Sequence, residues 1–154
     1  MADVCDLHVL AIGLEDRPGA VHSVAEVFSG RGLQMEAFHG TAGSLDADGH
    51  AQALILFHAS DERADFVTRV LRRLSSVSQA ELLGLDDTRL IQSVLVRTEE
   101  SHSGEGIRCV DLGGGVSLAA ATPMAMQLWL ASGHAPQRLG AVRIDLLREE
   151  RDRI

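Results

Sequence analysis

The chain has 154 residues, of which 45% are hydrophobic and 23% charged, which suits a globular protein with one ordinary domain or two small ones. Its formal net charge of −8 argues against nucleic acid as the main partner, because a phosphate backbone is bound by a basic face. The sequence contains no lysine and no tyrosine, which excludes Schiff-base lysines, a phosphate-loop lysine and tyrosine acid–base catalysis.

Neither a membrane segment nor an export signal is recognisable in the sequence. No apolar run approaches the roughly 18 residues that span a bilayer, and the amino-terminal MADVCDLHVLAIG lacks the basic region of a signal peptide. We therefore expect a cytoplasmic protein with no membrane partner. Cys5 and Cys109 lie far apart without metal-ligand spacing, so we expect two reduced thiols.

The first half of the chain predicts four strands, two helices and one hairpin turn, the strands and helices from their periodicities. Apolar residues recur at helical spacing in two segments, and alternating or β-branched stretches flank them. The predicted elements are a strand at 6–13, a helix from Pro18 to Arg31 with Gly32 just past its end, a strand at 33–45, a hairpin turn at 46–49, a strand at 50–60, a helix from Asp61 to about Leu74 capped by Ser60 or Asp61, and a strand at 76–85.

This β-α-β-β-α-β order is that of the ferredoxin-like fold, in which two helices cover one face of a four-stranded antiparallel sheet. We therefore expect an α+β protein whose first domain comprises residues 1–85.

Residues 86–154 predict a second, smaller α+β domain. Its order is β-ββ-α-β, a truncated ferredoxin-like unit that lacks the first helix. The predicted elements are a strand at 88–98, a polar loop at 99–106, two strands within 107–121 joined around Gly113–Gly115, a helix that follows Thr122 as cap with Pro123 first and Gly133 near its end, and a strand at 141–147.

Two motifs of this second half allow alternative interpretations. The glycine run 113–115 favours a tight hairpin over a phosphate loop, because no lysine follows it. The Met/Leu/Trp stripe of the helix after Thr122 favours a core position over contact with a partner protein, with Trp129 expected to be its most exposed member.

The stretch EDRPG, which joins the first strand to the first helix, is a candidate ligand site. Free N–H groups at a helix start favour an anion such as a carboxylate, and Gly19 permits close backbone approach. Asp16 could bind an ammonium group, and Arg17 could assist with an anion, so the loop suits the two charges of a free amino acid. The alternative is an ordinary capped helix start in which Asp16 is the capping acid.

Seven histidines raise the alternative of a metal site. His8 and His58 lie on neighbouring strands, and His39 and His50 lie near the hairpin. No pair has the spacing of a zinc signature. We expect no metal and no cofactor.

The segment LEDRPGAVHSVAEVFSGRGLQMEAF resembles the first β-α-β of an ACT domain, the amino-acid-sensing regulatory module. More narrowly, it is similar to the small regulatory subunit of acetolactate synthase, whose pattern it follows without a gap, and the second half is similar to that family's carboxy-terminal half. The matching residues are Leu14–Glu15, Gly19–Ala20, Phe28, Arg31–Gly32, Leu33–Gln34–Met35 and Glu36.

In the resembling family the effector, usually valine, binds between the ACT domains of two subunits, at the loop before the first helix and the start of the second strand. The family commonly has asparagine where this chain has Asp16 and Gln34. With Arg17 included from the charge argument, the effector-binding residues that we expect are Asp16, Arg17, Gly19, Ala20, Gln34 and Met35.

The resemblance implies a non-catalytic regulatory subunit. It would form a homodimer through the edges of its ACT sheets, bind valine or another amino acid there, and mediate branched-chain amino acid feedback on the large subunit of acetolactate synthase. One alternative is a free-standing ACT sensor of another amino acid without that enzyme partner. A further alternative, from a different class, is a small enzyme that uses the histidines and acids.

Overall fold

The computed structural model describes residues 6–41, 50–97, 105–132, 137–140 and 143–146. By its internal contacts the chain divides into two compact units, residues 1–84 and 85–154. No helix in the described ranges is long and apolar enough to cross a membrane.

The first unit has the β-α-β-β-α-β order that the sequence predicts. Its four strands form one sheet in the order β2-β3-β1-β4, and each neighbouring pair is antiparallel. The ferredoxin-like fold class is thereby confirmed, whereas the predicted hairpin turn at 46–49 lies outside the described residues. The elements are β1 (Asp6–Glu15), α1 (Ala20–Ser29), β2 (Met35–Thr41), β3 (His50–Ala59), α2 (Asp61–Leu71) and β4 (Val77–Leu83).

Alternation along the strands places the core of this unit on the face of the sheet that the helices cover. Phe28 of α1 meets Phe57 of β3 edge to face, with ring centroids 5.1 Å apart and both side chains almost fully buried. The predicted apolar faces of the helices pack into the same core. The core residues contributed by β1 and α2 are Leu10, Ile12, Leu14, Ala64, Val67 and Leu71.

Helix α1 is shorter at both ends than the predicted range from Pro18 to Arg31. It begins at Ala20 because Gly19, its N-cap, has a φ of 89°, outside the helical region. At the other end the N–H of Leu33 donates to the carbonyl of Phe28 at 3.0 Å, a Schellman-type closure just past the predicted Gly32.

Gly13 of β1 lies where β4 comes too close for a side chain. The register between β1 and β4 shifts at Gly13/Leu14, so that Ser78 is the extra residue of a bulge. A Cβ on Gly13 would overlap Ser78 Oγ and lie 2.9 Å from Gln79 Cγ. A side chain at position 13 would therefore force the side chains of Ser78 and Gln79 to move.

We expect Gly13→Val to lower the free energy of unfolding by about 1–3 kcal/mol, the usual effect of overpacking. Urea denaturation followed by circular dichroism measures it. Combining Gly13→Ala with Ser78→Ala should recover part of the loss of Gly13→Ala alone, because the double variant lacks the overlapping Oγ. Strictly additive effects of the two substitutions would contradict the steric explanation.

The second unit is the truncated ferredoxin-like arrangement that the sequence predicts. Its sheet has the order β6-β7-β5, followed by β8 and β9, which both pair with β5. The two-residue strand β8 is not predicted, and the predicted loop residues 99–104 and Gly133 lie outside the described part of the chain. The elements are β5 (Leu90–Arg97), β6 (Arg108–Gly113), β7 (Val116–Ala121), α3 (Pro123–Ala131), β8 (Gln137–Arg138) and β9 (Arg143–Leu146).

Helix α3 begins as predicted. The Thr122 side chain accepts a hydrogen bond from the N–H of Ala125 at 3.3 Å, and Pro123 occupies the first turn. Met126 is fully buried, which confirms the core position of one face. The prediction that Trp129 is the most exposed member of the Met/Leu/Trp stripe is wrong. The Trp129 side chain is partly buried against the core, whereas Leu128 is 67% exposed.

Candidate functional site

The loop between β1 and α1 ends in a helix terminus that no side chain caps. The N–H groups of Val21 and His22 have no acceptor within the described residues, as is typical of a first helical turn without a cap. These donors and the positive end of the helix dipole favour a negatively charged group. The start of α1 is thus a potential anion-binding position.

Asp16 lies in this loop and is exposed to solvent. Its carboxylate forms no hydrogen bond or ion pair with any residue that the structure describes. The interpretation of Asp16 as the capping acid is therefore wrong, since the N-cap is Gly19. A free carboxylate at this place can bind an ammonium group.

Arg17 is held by the residues around it. Its Nε donates to Glu15 Oε2 at 2.7 Å, and its Nη2 donates to Ser75 Oγ at 3.2 Å. Both members of the Arg17–Glu15 pair remain about half exposed. Glu15 therefore offsets much of the charge that Arg17 could offer to an anion, and the arginine mainly ties the loop to the turn before β4.

Gly19 and Ala20 differ in how accessible they are to a ligand. A Cβ placed on Gly19 would have no atom within 4 Å, so this position is open to an approaching ligand. Ala20 has its methyl group buried, with 4% of the residue exposed. A ligand would therefore meet main-chain atoms at Gly19, whereas the N–H of Ala20 already donates to the carbonyl of Arg17 at 3.3 Å.

Gln34 and Met35 lie at the opposite end of the sheet from the loop of the same chain. Met35 pairs with Phe57, which pairs with His8, near the start of β1. The loop instead follows Glu15, at the end of β1, and the strand from His8 to Glu15 spans about 23 Å. Within one chain the structure therefore brings together Asp16, Arg17, Gly19 and Ala20, but not Gln34 and Met35.

Two serines near the loop were not predicted from the sequence. Ser75 holds Arg17, and the carbonyl of Ser76 accepts a hydrogen bond from the N–H of Glu15 at 3.0 Å. Ser76 is 3% exposed, and its Oγ has no hydrogen-bond partner in the described structure. Both serines lie far from the loop along the chain, so no local sequence pattern could have indicated their contacts with it.

His8 and His58 face opposite sides of the first sheet, although their strands are neighbours. His8 pairs with Phe57, and His58 pairs with Leu7, so alternation separates the two rings. His8 Nε2 lies 3.1 Å from the carbonyl oxygen of Ala59. Among the described residues no group of three or more His, Cys, Asp or Glu side chains is placed to hold a metal.

No protein-family profile matches the chain. The acetolactate synthase small subunit of Mycobacterium bovis is 26% identical over 109 residues, which cover 68% of this chain and 62% of that relative. The match therefore spans less than two thirds of the relative's length.

Among solved structures, the acetolactate synthase small subunit of Thermotoga maritima aligns over 94% of this chain and 99% of its own, with a TM-score of 0.53 and 14% identity. The ACT domain of GTP pyrophosphokinase from Chlorobium tepidum aligns over 53% of this chain and 89% of its own, with a TM-score of 0.44 and 17% identity.

The fold is therefore that of an ACT-type, ferredoxin-like α+β protein. Within that class the chain resembles the small subunits of acetolactate synthase, which confirms the resemblance found in the loop motif.

Proposed function

We propose that this protein is a non-catalytic regulatory protein that binds a free amino acid at the start of α1. The observation that supports this most directly is the uncapped helix terminus next to the exposed Asp16. The N–H groups would hold the α-carboxylate, and Asp16 would hold the α-ammonium group. Gly19 would admit the ligand to the backbone.

The site would be completed by a second copy of the chain. Strand β2 is an edge of the first sheet in the described structure, and it runs from Met35 towards the end of the sheet where the loop lies. Antiparallel pairing of two β2 strands would place Gln34 and Met35 of one copy at the end of the sheet where the Asp16–Ala20 loop of the other copy lies. This arrangement would explain why the two halves of one site lie at opposite ends of the sheet within one chain, and it would make the protein a homodimer through its ACT sheets.

The enzyme partner that we propose is the catalytic large subunit of acetolactate synthase, with feedback by a branched-chain amino acid such as valine. The sequence similarity to the mycobacterial small subunits supports this partner. A ligand held between two copies stabilises one relative orientation of their domains, which would then bias the bound enzyme. In this proposal residues 1–85 are the effector domain and residues 86–154 a separate smaller domain.

A thermal-shift assay of the full chain against the twenty amino acids tests the effector site. A ligand at one hundred times its Kd stabilises the folded state by about 2.7 kcal/mol, which raises the midpoint by several degrees. We expect such a shift for one amino acid or a few related ones. The absence of any shift across the panel, up to millimolar concentrations, would contradict an effector site.

Copurification with the acetolactate synthase large subunit tests the partner separately. We expect the two chains to coelute, and the amino acid that shifts the melting point should inhibit the reconstituted enzyme. A thermal shift without coelution would instead support a free-standing sensor, the second candidate that the loop geometry favours equally.

A further inference from the structure

An exposed aromatic ring on α2 lies among arginines. Phe66 is 46% exposed. The guanidinium carbon of Arg31, just past the end of α1, lies 5.2 Å from the centre of the Phe66 ring, and that of Arg69 lies 6.0 Å from it. Arg63 comes three residues before Phe66, so it belongs to the same side of α2. We refer to Arg31, Arg63, Phe66 and Arg69 as the arginine–phenylalanine patch.

Main-chain oxygens fix two arginines of this patch. Arg31 Nη1 donates to the carbonyl of Val27 at 3.3 Å, and Arg63 Nη2 donates to the carbonyl of Arg31 at 2.8 Å. The Nε of Arg31 is buried and has no hydrogen-bond partner in the described structure. A carbonyl holds a guanidinium group without neutralising it, so these two side chains present full positive charges in preset positions.

The charges of the patch are not offset by ion pairs within the part of the chain that the structure describes. Of the acids on the same helix, Asp61 lies 3.8 Å from His8, and Glu62 and Asp65 are exposed to solvent without pairing with an arginine of the patch. The patch is therefore basic, although the whole chain carries a net charge of −8.

We propose that the arginine–phenylalanine patch docks an acidic segment of the acetolactate synthase large subunit, in which carboxylates flank an apolar side chain. The carboxylates would pair with the guanidinium groups, and the apolar side chain would cover the ring of Phe66. Arginine and phenylalanine are both enriched at protein interfaces. This inference rests on the proposed function, from which it takes the enzyme partner, and it adds the surface and the chemistry of the contact.

Charge and geometry favour an acidic protein segment over other occupants. The net charge of −8 opposes the approach of nucleic acid or an anionic membrane, whose charge extends beyond a patch of this size. Small ligands bind in concave sites, whereas Arg63, Phe66 and Arg69 lie on the exposed surface of a helix. A second copy of the chain, related by a two-fold axis through the patch, would place arginines against arginines.

Biolayer interferometry of the full chain, with the acetolactate synthase large subunit of the same organism as the probe, tests this surface. Arg69→Glu should weaken binding at least about 10-fold, because it places a carboxylate against the acidic segment. Arg69 donates no hydrogen bond to a described residue, so this substitution breaks none within the fold. Arg97→Glu, the same charge change on β5 of the second unit, is the matched control and should leave the affinity unchanged.

The salt dependence of binding and the pattern of losses decide the outcome. The affinity of the wild-type chain should fall as the salt concentration rises, and that of Arg69→Glu should fall less steeply. Equal losses in Arg69→Glu and Arg97→Glu, or no loss in Arg69→Glu, would overturn the patch while leaving the enzyme partner in place. If the wild-type chain bound no large subunit, the enzyme partner of the proposed function would be wrong, and the docking proposal with it. The thermal shift with amino acids judges the effector site independently of both.

Discussion

Phe57→Ala is expected to lower the free energy of unfolding of the first unit by about 3–5 kcal/mol, which is a large fraction of the stability of an ordinary domain. Phe57 has no exposed surface, and its ring meets Phe28 at 5.1 Å and His8 at 5.6 Å. It lies at the centre of the face on which both helices pack. The strands around it are held by backbone pairing, so the cavity would not close by collapse.

Phe66→Ala provides the matched control for this prediction. Phe66 is 46% exposed on α2, and Arg31 lies over its ring at 5.2 Å. Its removal should cost less than about 1 kcal/mol, the usual value of an exposed cation–π contact. Urea denaturation with circular dichroism compares the two variants. If both lost the same stability, the hydrophobic core would not lie where the structure places it.

The helices and the longer strands of both units could be predicted from the sequence because their signals are local. The apolar spacing of α1 and the alternation of β1 depend only on neighbouring residues. The sequence predicts that α1 starts at Pro18, whereas the helix starts two residues later, at Ala20. The left-handed conformation of Gly19 overrides the preference of proline for the first helical position. Strand β8 has only two residues and exists through its pairing with β5, so periodicity could not indicate it.

In the candidate site, too, the residues that are close in the chain could be predicted, whereas those that depend on long-range pairing could not. Asp16, Arg17, Gly19 and Ala20 are neighbours in the chain, and a loop motif is sufficient to group them. The position of Met35 depends instead on the pairing of β2 with β3 and of β3 with β1. The contact of Arg17 with Ser75 joins residues 58 positions apart. Register and long-range contacts arise from the packing of the whole unit, so a single sequence does not show them.

Asp16→Ala is expected to remove most of the effector affinity without a loss of stability. The carboxylate has no partner among the described residues, so its removal breaks no contact within the fold. A charge-assisted hydrogen bond to an ammonium group contributes about 1.5–3 kcal/mol, so the Kd for the amino acid should rise about 10- to 150-fold. Isothermal titration calorimetry measures the affinity, and the melting temperature without ligand measures the stability.

Two further variants separate the role of Asp16 from general effects of charge and strain. Asp65→Ala removes an exposed acid from α2 of the same unit and should leave the Kd unchanged. Gly19→Val should abolish binding, but it should also lower stability by about 1–2 kcal/mol, because a side chain disfavours the φ of 89° at this position. Asp16→Ala thus tests the ammonium contact alone, whereas Gly19→Val tests the approach of the ligand to the backbone. If Asp16→Ala bound the amino acid as tightly as Asp65→Ala, the ammonium group would lie elsewhere and the assignment of this loop would be wrong.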